Sequence, residues 1–302
     1  MISKRKVDQP ELEIQKANIL VEALQYMQSY RDKMVLIKFG GSAMDDPELV
    51  KSLMRDIVVL EAMGLNPVVV HGGGKAISKA MSEAGLEAKF VNGLRVTTPE
   101  AIDIVERTLS GTINPGLVEM MREAGGKAVG IPGTNVFVGE RLMERDAEGN
   151  PVDIGMVGRV IGSLLSRVEE ALSLQITPII SPLARELGTN QSLNVNADLA
   201  AAALARELKP VKLIYISDVP GLMYDPKDPS TIIKSINRKE AEELMRTGII
   251  SGGMIPKVKS AIDALNAGVR KVHFIDGRLP HTLLLEIFTP EGIGTEIVRE
   301  QR

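Results

Sequence analysis

The sequence predicts an α/β protein: a three-layer αβα sandwich with a largely parallel central sheet, preceded by one N-terminal helix. Three observations carry that prediction. Short runs rich in Val and Ile alternate with amphipathic stretches of about 10–15 residues, the pattern of a parallel sheet covered on both faces. Glycine pairs stand where such runs end or where a helix begins. The chain has 302 residues, 44% hydrophobic and 25% charged, which is enough to bury a sizeable core with an ordinary globular surface.

The elements follow in order. Residues 11–30 read as a helix, because Leu12, Ile19, Ala23, Tyr26 and Tyr30 recur at helical spacing, as do Leu20, Leu24 and Met27. That apolar coverage fits either a helix lying on its own core or an arm packing on another subunit. From Met34 onward, strands are expected at 34–39, 67–71, 177–181, 211–217 and 271–275. Helices are expected near 47–63, 75–84, 99–109, 197–207, 238–246 and 256–267. Shorter alternating runs broken by Gly and Pro between 126 and 165 predict a small antiparallel insertion. Lys209-Pro210 is the expected hinge, since proline stops the helix before it. The resulting units are 1–30, the N-terminal helix, which the family resemblance described below implies to be an oligomerisation helix; 31–210, an N-terminal lobe; and 211–302, a C-terminal lobe.

Composition narrows the function. Thirty-six basic and 39 acidic residues give a net charge of -3 with no polyelectrolyte block, which argues against nucleic acid and anionic membranes as partners. The chain has no Cys, so disulfides, thiolate catalysis and Cys-based metal sites are excluded. Its opening, MISKRKVDQPELEIQ, lacks an apolar signal core, and no apolar run approaches the roughly 20 residues of a membrane span. A cytoplasmic metabolic protein is the expectation.

Three glycine segments sit where phosphate or carboxylate would bind in such a sheet, at strand ends and helix starts. They are Gly40-Gly41 after the first strand, Gly72-Gly73-Gly74 after the second, and Gly252-Gly253 ahead of a helix. A bare backbone lets several N–H groups approach one anion. Lys38, Lys75 and Lys257 recur beside these loops. The chain lacks the Walker G-x-x-x-x-G-K-[ST] pattern, the dinucleotide G-x-G-x-x-G after the first strand, the protein-kinase motifs and any metal-ligating histidine spacing. His71 reads equally as a packing residue or a ligand contact.

Six motifs occur in one order: I-K-F-G-G-S (37–42), H-G-G-G (71–74), N-G-L-R-V-T (92–97), N-V-N-A-D (194–198), S-D-V-P-G-L (217–222) and G-G-M-I-P-K (252–257). Together they resemble the amino acid kinase family, and more narrowly its acetylglutamate kinases, from about Met34 to the end of the chain. K-F-G-G is shared with aspartate kinases; N-G-L-R-V-T and N-V-N-A-D are the specific motifs. The resemblance implies the amino acid kinase fold and transfer of a phosphoryl group from ATP to the side-chain carboxylate of N-acetyl-L-glutamate in arginine biosynthesis.

By that resemblance Lys38 and Lys257 flank the transferring phosphoryl, and Asp198 orients both. Asp198 could otherwise simply cap the helix at 197–207. Gly73, Gly74, Arg95 and Asn194 are implied to bind the amino-acid substrate. Lys38, Gly41, Ser217, Asp218, Met254 and Lys257 are implied to bind ATP, whose oxygens and water would hold Mg²⁺. A carboxylate nucleophile is already ionised at neutral pH, so no general base is required.

The N-terminal helix and the tail LLLEIFTPEGIGTEIV resemble the arginine-inhibited members of the family. That likeness implies a hexamer arranged as a trimer of dimers, with an arginine pocket lined by Tyr26, His273, Glu286 and Gly292. A PII-type signalling partner, known for some members, is left open. Competing readings are another acyl-phosphate kinase, such as an aspartate kinase, and a non-catalytic amino-acid sensor. The first is opposed by N-G-L-R-V-T, and the second by retention of Lys38, Asp198 and Lys257.

Overall fold

A computed structural model of the chain describes residues 10–145, 148–289 and 292–299. Residues 1–9 of the predicted N-terminal unit, Pro290 and Glu291 in the tail, and residues 300–302 lie outside the described residues. Helix α1 (Pro10–Tyr30) precedes strand β1 (Met34–Phe39), helix α2 (Pro47–Ala62), strand β2 (Asn66–His71) and helix α3 (Gly74–Glu83). A short hairpin, β3 (Phe90–Val91) and β4 (Leu94–Arg95), leads to α4 (Pro99–Glu106), a π-helical turn over Arg107–Ile113, α5 (Asn114–Glu123) and β5 (Ala128–Ile131). Next come β6 (Phe137–Arg145), β7 (Pro151–Ser163), α6 (Ser166–Ser173), β8 (Thr177–Ile180), β9 (Leu183–Glu186), β10 (Ser192–Asn194) and α7 (Ala197–Leu208). The last part holds β11 (Lys212–Ser217), β12 (Ser235–Asn237), α8 (Arg238–Arg246), α9 (Met254–Asn266), β13 (Lys271–Asp276), α10 (Thr282–Phe288) and β14 (Thr295–Val298).

Eight strands form one sheet in the order β12-β14-β13-β11-β1-β2-β8-β5. Neighbours are parallel except β13 and β14, which run antiparallel. Side-chain alternation along β1 sorts the two faces. Val35, Ile37 and Phe39 join the core under α2, α5 and α10 with Met54, Ile57 and Met121. Leu36 points to the opposite layer, with Leu204 of α7 and Ala261 of α9. Lys38 shares that parity, so the strand delivers its side chain to the α7 face.

The expected antiparallel insertion is present but narrower than 126–165. β6 and β7 pair antiparallel and close a small barrel with β9 and β10, whereas β5 belongs to the main sheet beside β8. The helix expected to run to residue 109 instead changes to π-helical hydrogen bonding at Arg107. At Lys209 the chain turns through a left-handed residue (φ 49°) that caps α7 and is followed by Pro210. Helix α1 does not lie on its own core along most of its length. Ile14, Ile19, Leu20 and Val21 are 58–71% exposed, and Tyr26, Met27 and Tyr30 near its end are partly covered.

Helix α7 starts from Asn196, whose side chain accepts from the backbone N–H groups of Asp198 and Leu199 at 2.8 and 3.2 Å. The alternative that Asp198 is itself the cap is thereby overturned: its side chain is free for other work. Asn196→Ala removes this cap, and chemical denaturation should show a loss of about 1 kcal/mol.

Candidate active site

Parallel strands β1, β2 and β11 end together, and their C-terminal loops meet the starts of α3 and α7. Between them lies a cleft of about 460 Å³, walled by Gly72–Gly74, Arg95, Asn194, Lys38 and Asp198. Beside it, on the side of β11 and α9, is a second cavity of about 360 Å³, with Leu222, Met223, Ile250 and Met254 among its walls. Asp218 lines both cavities, and Lys257 opens into the second.

The two share a charged centre. Lys257 donates to Asp198 Oδ2 at 2.7 Å, and the Lys38 ammonium lies 2.8 Å from Oδ1. Each carboxylate oxygen thus faces one ammonium, and Lys38 also lines the first cleft. Burial raises the Asp198 pKa, but the charges of Lys38 and Lys257 outweigh it and hold the carboxyl at about 2. For Lys38, burial is the leading cause and lowers its pKa against the opposing pull of Asp198. A Cβ at Gly40 would sit 2.7 Å from Lys38 Nζ, so glycine there leaves the space the ammonium occupies.

Arg95 reaches the first cleft from β4. Its Nη2 donates to the Gly74 carbonyl at 2.6 Å and to Ser78 Oγ at 2.8 Å, and its guanidinium lies 4.8 Å from the Phe90 ring centroid. Among the described residues it has no carboxylate partner, and burial lowers its pKa. A planar cation held this way can accept a ligand carboxylate on its open edge. Asn194 donates to Thr97 Oγ1 at 2.9 Å, and Thr97 in turn donates to the Arg95 carbonyl at 3.0 Å. Thr97, Ser78 and Asn196 were not singled out from sequence. Thr97 and Asn196 lie inside the quoted motifs, and the Asn cap ahead of a helix was the legible signal.

The nucleotide-side residues divide. Gly41 adopts φ +77° and lies against Asp218, which accepts from Ser42 Oγ at 3.3 Å. Met254 forms part of the second cavity wall. Ser217 lines neither cavity: its side chain is buried without a hydrogen-bond partner among the described residues, while its carbonyl accepts from Gly277 N–H at 2.7 Å.

Tyr26, His273, Glu286 and Gly292 come together elsewhere, around a cavity of about 620 Å³ between α1, α10 and the β13–β14 edge, with Tyr30 and Lys212. His273 Nδ1 lies 2.6 Å from Glu286 Oε1, and Glu286 Oε2 accepts from the N–H groups of Ile293 and Gly294. Burial lowers the His273 pKa despite that neighbour. Burial raises the pKa of Glu286, but hydrogen bonds and the His273 contact prevail and leave it lowered. At Gly292 (φ +59°) a Cβ would fall 2.7 Å from the Glu286 carboxylate.

The depressed Asp198 pKa carries a stability consequence. An unfolded aspartate titrates near 4, so the stabilisation from the native ion pairs is fully present above about pH 4 and is lost as pH falls through about 2. Urea unfolding of the wild type and Asp198→Asn should therefore differ most above pH 4. Their difference should shrink by about 2–3 kcal/mol towards pH 2.

The amino acid kinase family model matches residues 33–276. The acetylglutamate kinase of Akkermansia muciniphila is 77% identical over 96% of this chain and 97% of its own length. That of Caldanaerobacter subterraneus is 45% identical over 99% of this chain and 98% of its own. Among solved structures, N-acetylglutamate synthase from Neisseria gonorrhoeae superposes with a TM-score of 0.82 at 22% identity, covering 95% of this chain and 64% of the longer synthase. Carbamate kinase from Giardia lamblia superposes at 0.66 and 17% identity, covering 89% of this chain and 99% of its own. These two structures share the fold. The family match and the near-full-length identities make the assignment: the chain belongs to the amino acid kinase family and, within it, to the acetylglutamate kinases.

Proposed function

We propose that this chain transfers the γ-phosphoryl group of ATP to the side-chain carboxylate of N-acetyl-L-glutamate, giving N-acetyl-L-glutamyl 5-phosphate and ADP, as a step of arginine biosynthesis. The observation that carries the proposal is the Lys38–Asp198–Lys257 cluster at the meeting of two cavities. One cavity has a carboxylate-ready arginine and glycine N–H groups; the other has apolar walls suited to a purine. Residues 31–210 then serve as the amino-acid lobe and 211–302 as the nucleotide lobe.

In the reaction a carboxylate oxygen of the acceptor bonds to the γ-phosphorus while the bond from that phosphorus to the β–γ bridging oxygen breaks, and ADP departs with the bond electrons. Both reactants are anions, so positioning and charge neutralisation supply the rate enhancement. Lys38 and Lys257 flank the phosphoryl oxygens, and Asp198 keeps the two cations from repelling one another out of place. Arg95 takes the α-carboxylate, Asn194 the acetamido portion, and Gly73 and Gly74 the reacting carboxylate. Gly41, Ser217, Asp218 and Met254 are assigned to ATP, with Ser217 acting through its strand-end position. Mg²⁺ would neutralise the phosphates while held by their oxygens. Among the described residues, no group of three or more acidic or His side chains is gathered for a metal.

We also propose inhibition by arginine at the cavity of Tyr26, His273, Glu286 and Gly292. A guanidinium there can pair with Glu286 and bond to loop carbonyls. The long exposed apolar surface of α1 supports its use as the arm that joins dimers into a hexamer. Arginine would act by favouring a ring geometry with an open cleft.

ADP release measured with acetylglutamate, glutamate and aspartate side by side should show turnover with acetylglutamate alone; no turnover with it refutes the reading. Lys38→Arg should lower kcat by about 10²–10³, because the longer fork cannot occupy the ammonium's place over Gly40. Deleting residues 1–28 should leave an active, arginine-insensitive oligomer smaller than the parent on sizing, and Glu286→Gln should raise the arginine concentration needed for inhibition about tenfold or more. An unchanged oligomer or unchanged arginine response would count against the regulatory reading.

A further inference from the structure

His71 opens the H-G-G-G loop, yet its side chain contacts no cleft. It is wholly buried, on the strand parity of Val69, facing the α2–α5 layer and pointing away from Lys38 and Asp198. Its Nδ1 lies 2.8 Å from the Gly72 carbonyl oxygen. A carbonyl only accepts, so Nδ1 carries the proton. The Nε2 atom then accepts from Asn114 Nδ2 at 3.2 Å, and the same amide nitrogen donates to the Ile179 carbonyl at 2.8 Å. Every group in this chain of contacts has one consistent role. Burial, the leading cause, pushes the His71 pKa down to about 4, so the ring is neutral under ordinary conditions.

The geometry governs the loop. Gly72 N–H donates to the Phe39 carbonyl at 2.7 Å, tying the loop to β1. The Gly72–Gly73 peptide is trans, as are all described peptide bonds, so its C=O and N–H point in opposite directions. With the carbonyl drawn toward His71 on one face, the Gly73 N–H is aimed at the other, which is the cleft face. Among the described residues that N–H has no acceptor. The π-helical turn closes the arrangement, since a Cβ at Gly73 would lie 2.7 Å from Leu109 and 2.6 Å from Ile113.

We infer that His71 and Asn114 form a buried positioning relay that fixes the Gly72–Gly73 peptide so that the Gly73 N–H is presented to the acceptor carboxylate. The inference deepens the function proposed above and rests on it for the identity of that carboxylate; the orientation of the peptide is independent of it.

The test pairs two variants that keep opposite ends of the ring. The Asn amide nitrogen can replace Nδ1 and still donate to Gly72, whereas Gln reaches the Nε2 position and leaves Gly72 without its donor. His71→Asn should keep kcat/KM for acetylglutamate within about threefold of wild type. His71→Gln should lose about 10- to 100-fold, less than outright removal of a charge-stabilising donor, while KM for ATP stays within about threefold. Equal losses in the two variants, or losses confined to melting temperature, would overturn the relay and leave His71 a packing residue. Independently of activity, ¹⁵N spectra of the histidine-labelled wild type should show His71 as the Nδ1–H tautomer, and an Nε2–H tautomer refutes the inference. A wild type inactive on acetylglutamate but carrying the Nδ1–H tautomer would refute the carboxylate part alone.

Discussion

The site depends on one charge balance: two ammonium groups held by a single, largely buried carboxylate. Asp198 is 7% exposed and Lys38 5%. Two cations this close repel strongly where the dielectric is low, and a buried cation without a partner is costly. Asp198 offsets both penalties and remains ionised for the same reason that it is needed. Much of the surrounding architecture serves that cluster. β1 parity brings in Lys38, the Asn196 cap frees Asp198 at the first turn of α7, and the start of α9 carries Lys257.

Glycine has several distinct jobs around this cluster. Gly40 yields volume to an ammonium, Gly41 takes up a left-handed backbone against Asp218, and Gly73 yields to aliphatic side chains from the π-helical turn. Treating these residues as one phosphate-binding feature misses that Gly40 and Gly73 make room for side chains of the protein itself, whereas Gly41 supplies a left-handed backbone. What requires glycine is crowding at Gly40 and Gly73 and backbone conformation at Gly41.

The main strands were legible because Val- and Ile-rich runs buried on both faces leave a strong local signal, and β1, β2, β8, β11 and β13 fall within a residue of their expected bounds. β5 was assigned to the insertion because its run, Ala128–Ile131, is short and broken by glycine, and its place is set by pairing with the distant β8. The π-helical turn left no trace in periodicity, since a shift of one hydrogen-bond register barely moves an apolar stripe. Lys38, Asp198, Arg95 and Lys257 stood out through motif resemblance. Thr97 and Ser78, which bond to Arg95, and Asn114, which bonds to His71, did not, because small polar residues look alike until the fold shows which atoms they touch. Ser217, implied by the resemblance to contact ATP, has its side chain buried at its strand end.

The pairing of β1 with β11 constrains how the two cavities can move. Five residue pairs, from Val35–Lys212 to Phe39–Ile216, join the strand that carries Lys38 to the strand leading into the second cavity. Any change in the angle between the two cavities is therefore coupled to this ladder in the middle of the sheet. A change in sheet twist would spread such a displacement over many hydrogen bonds. A displacement at the β13–β14 edge is transmitted to β1 through β11, because β13 and β11 are joined along six residue pairs.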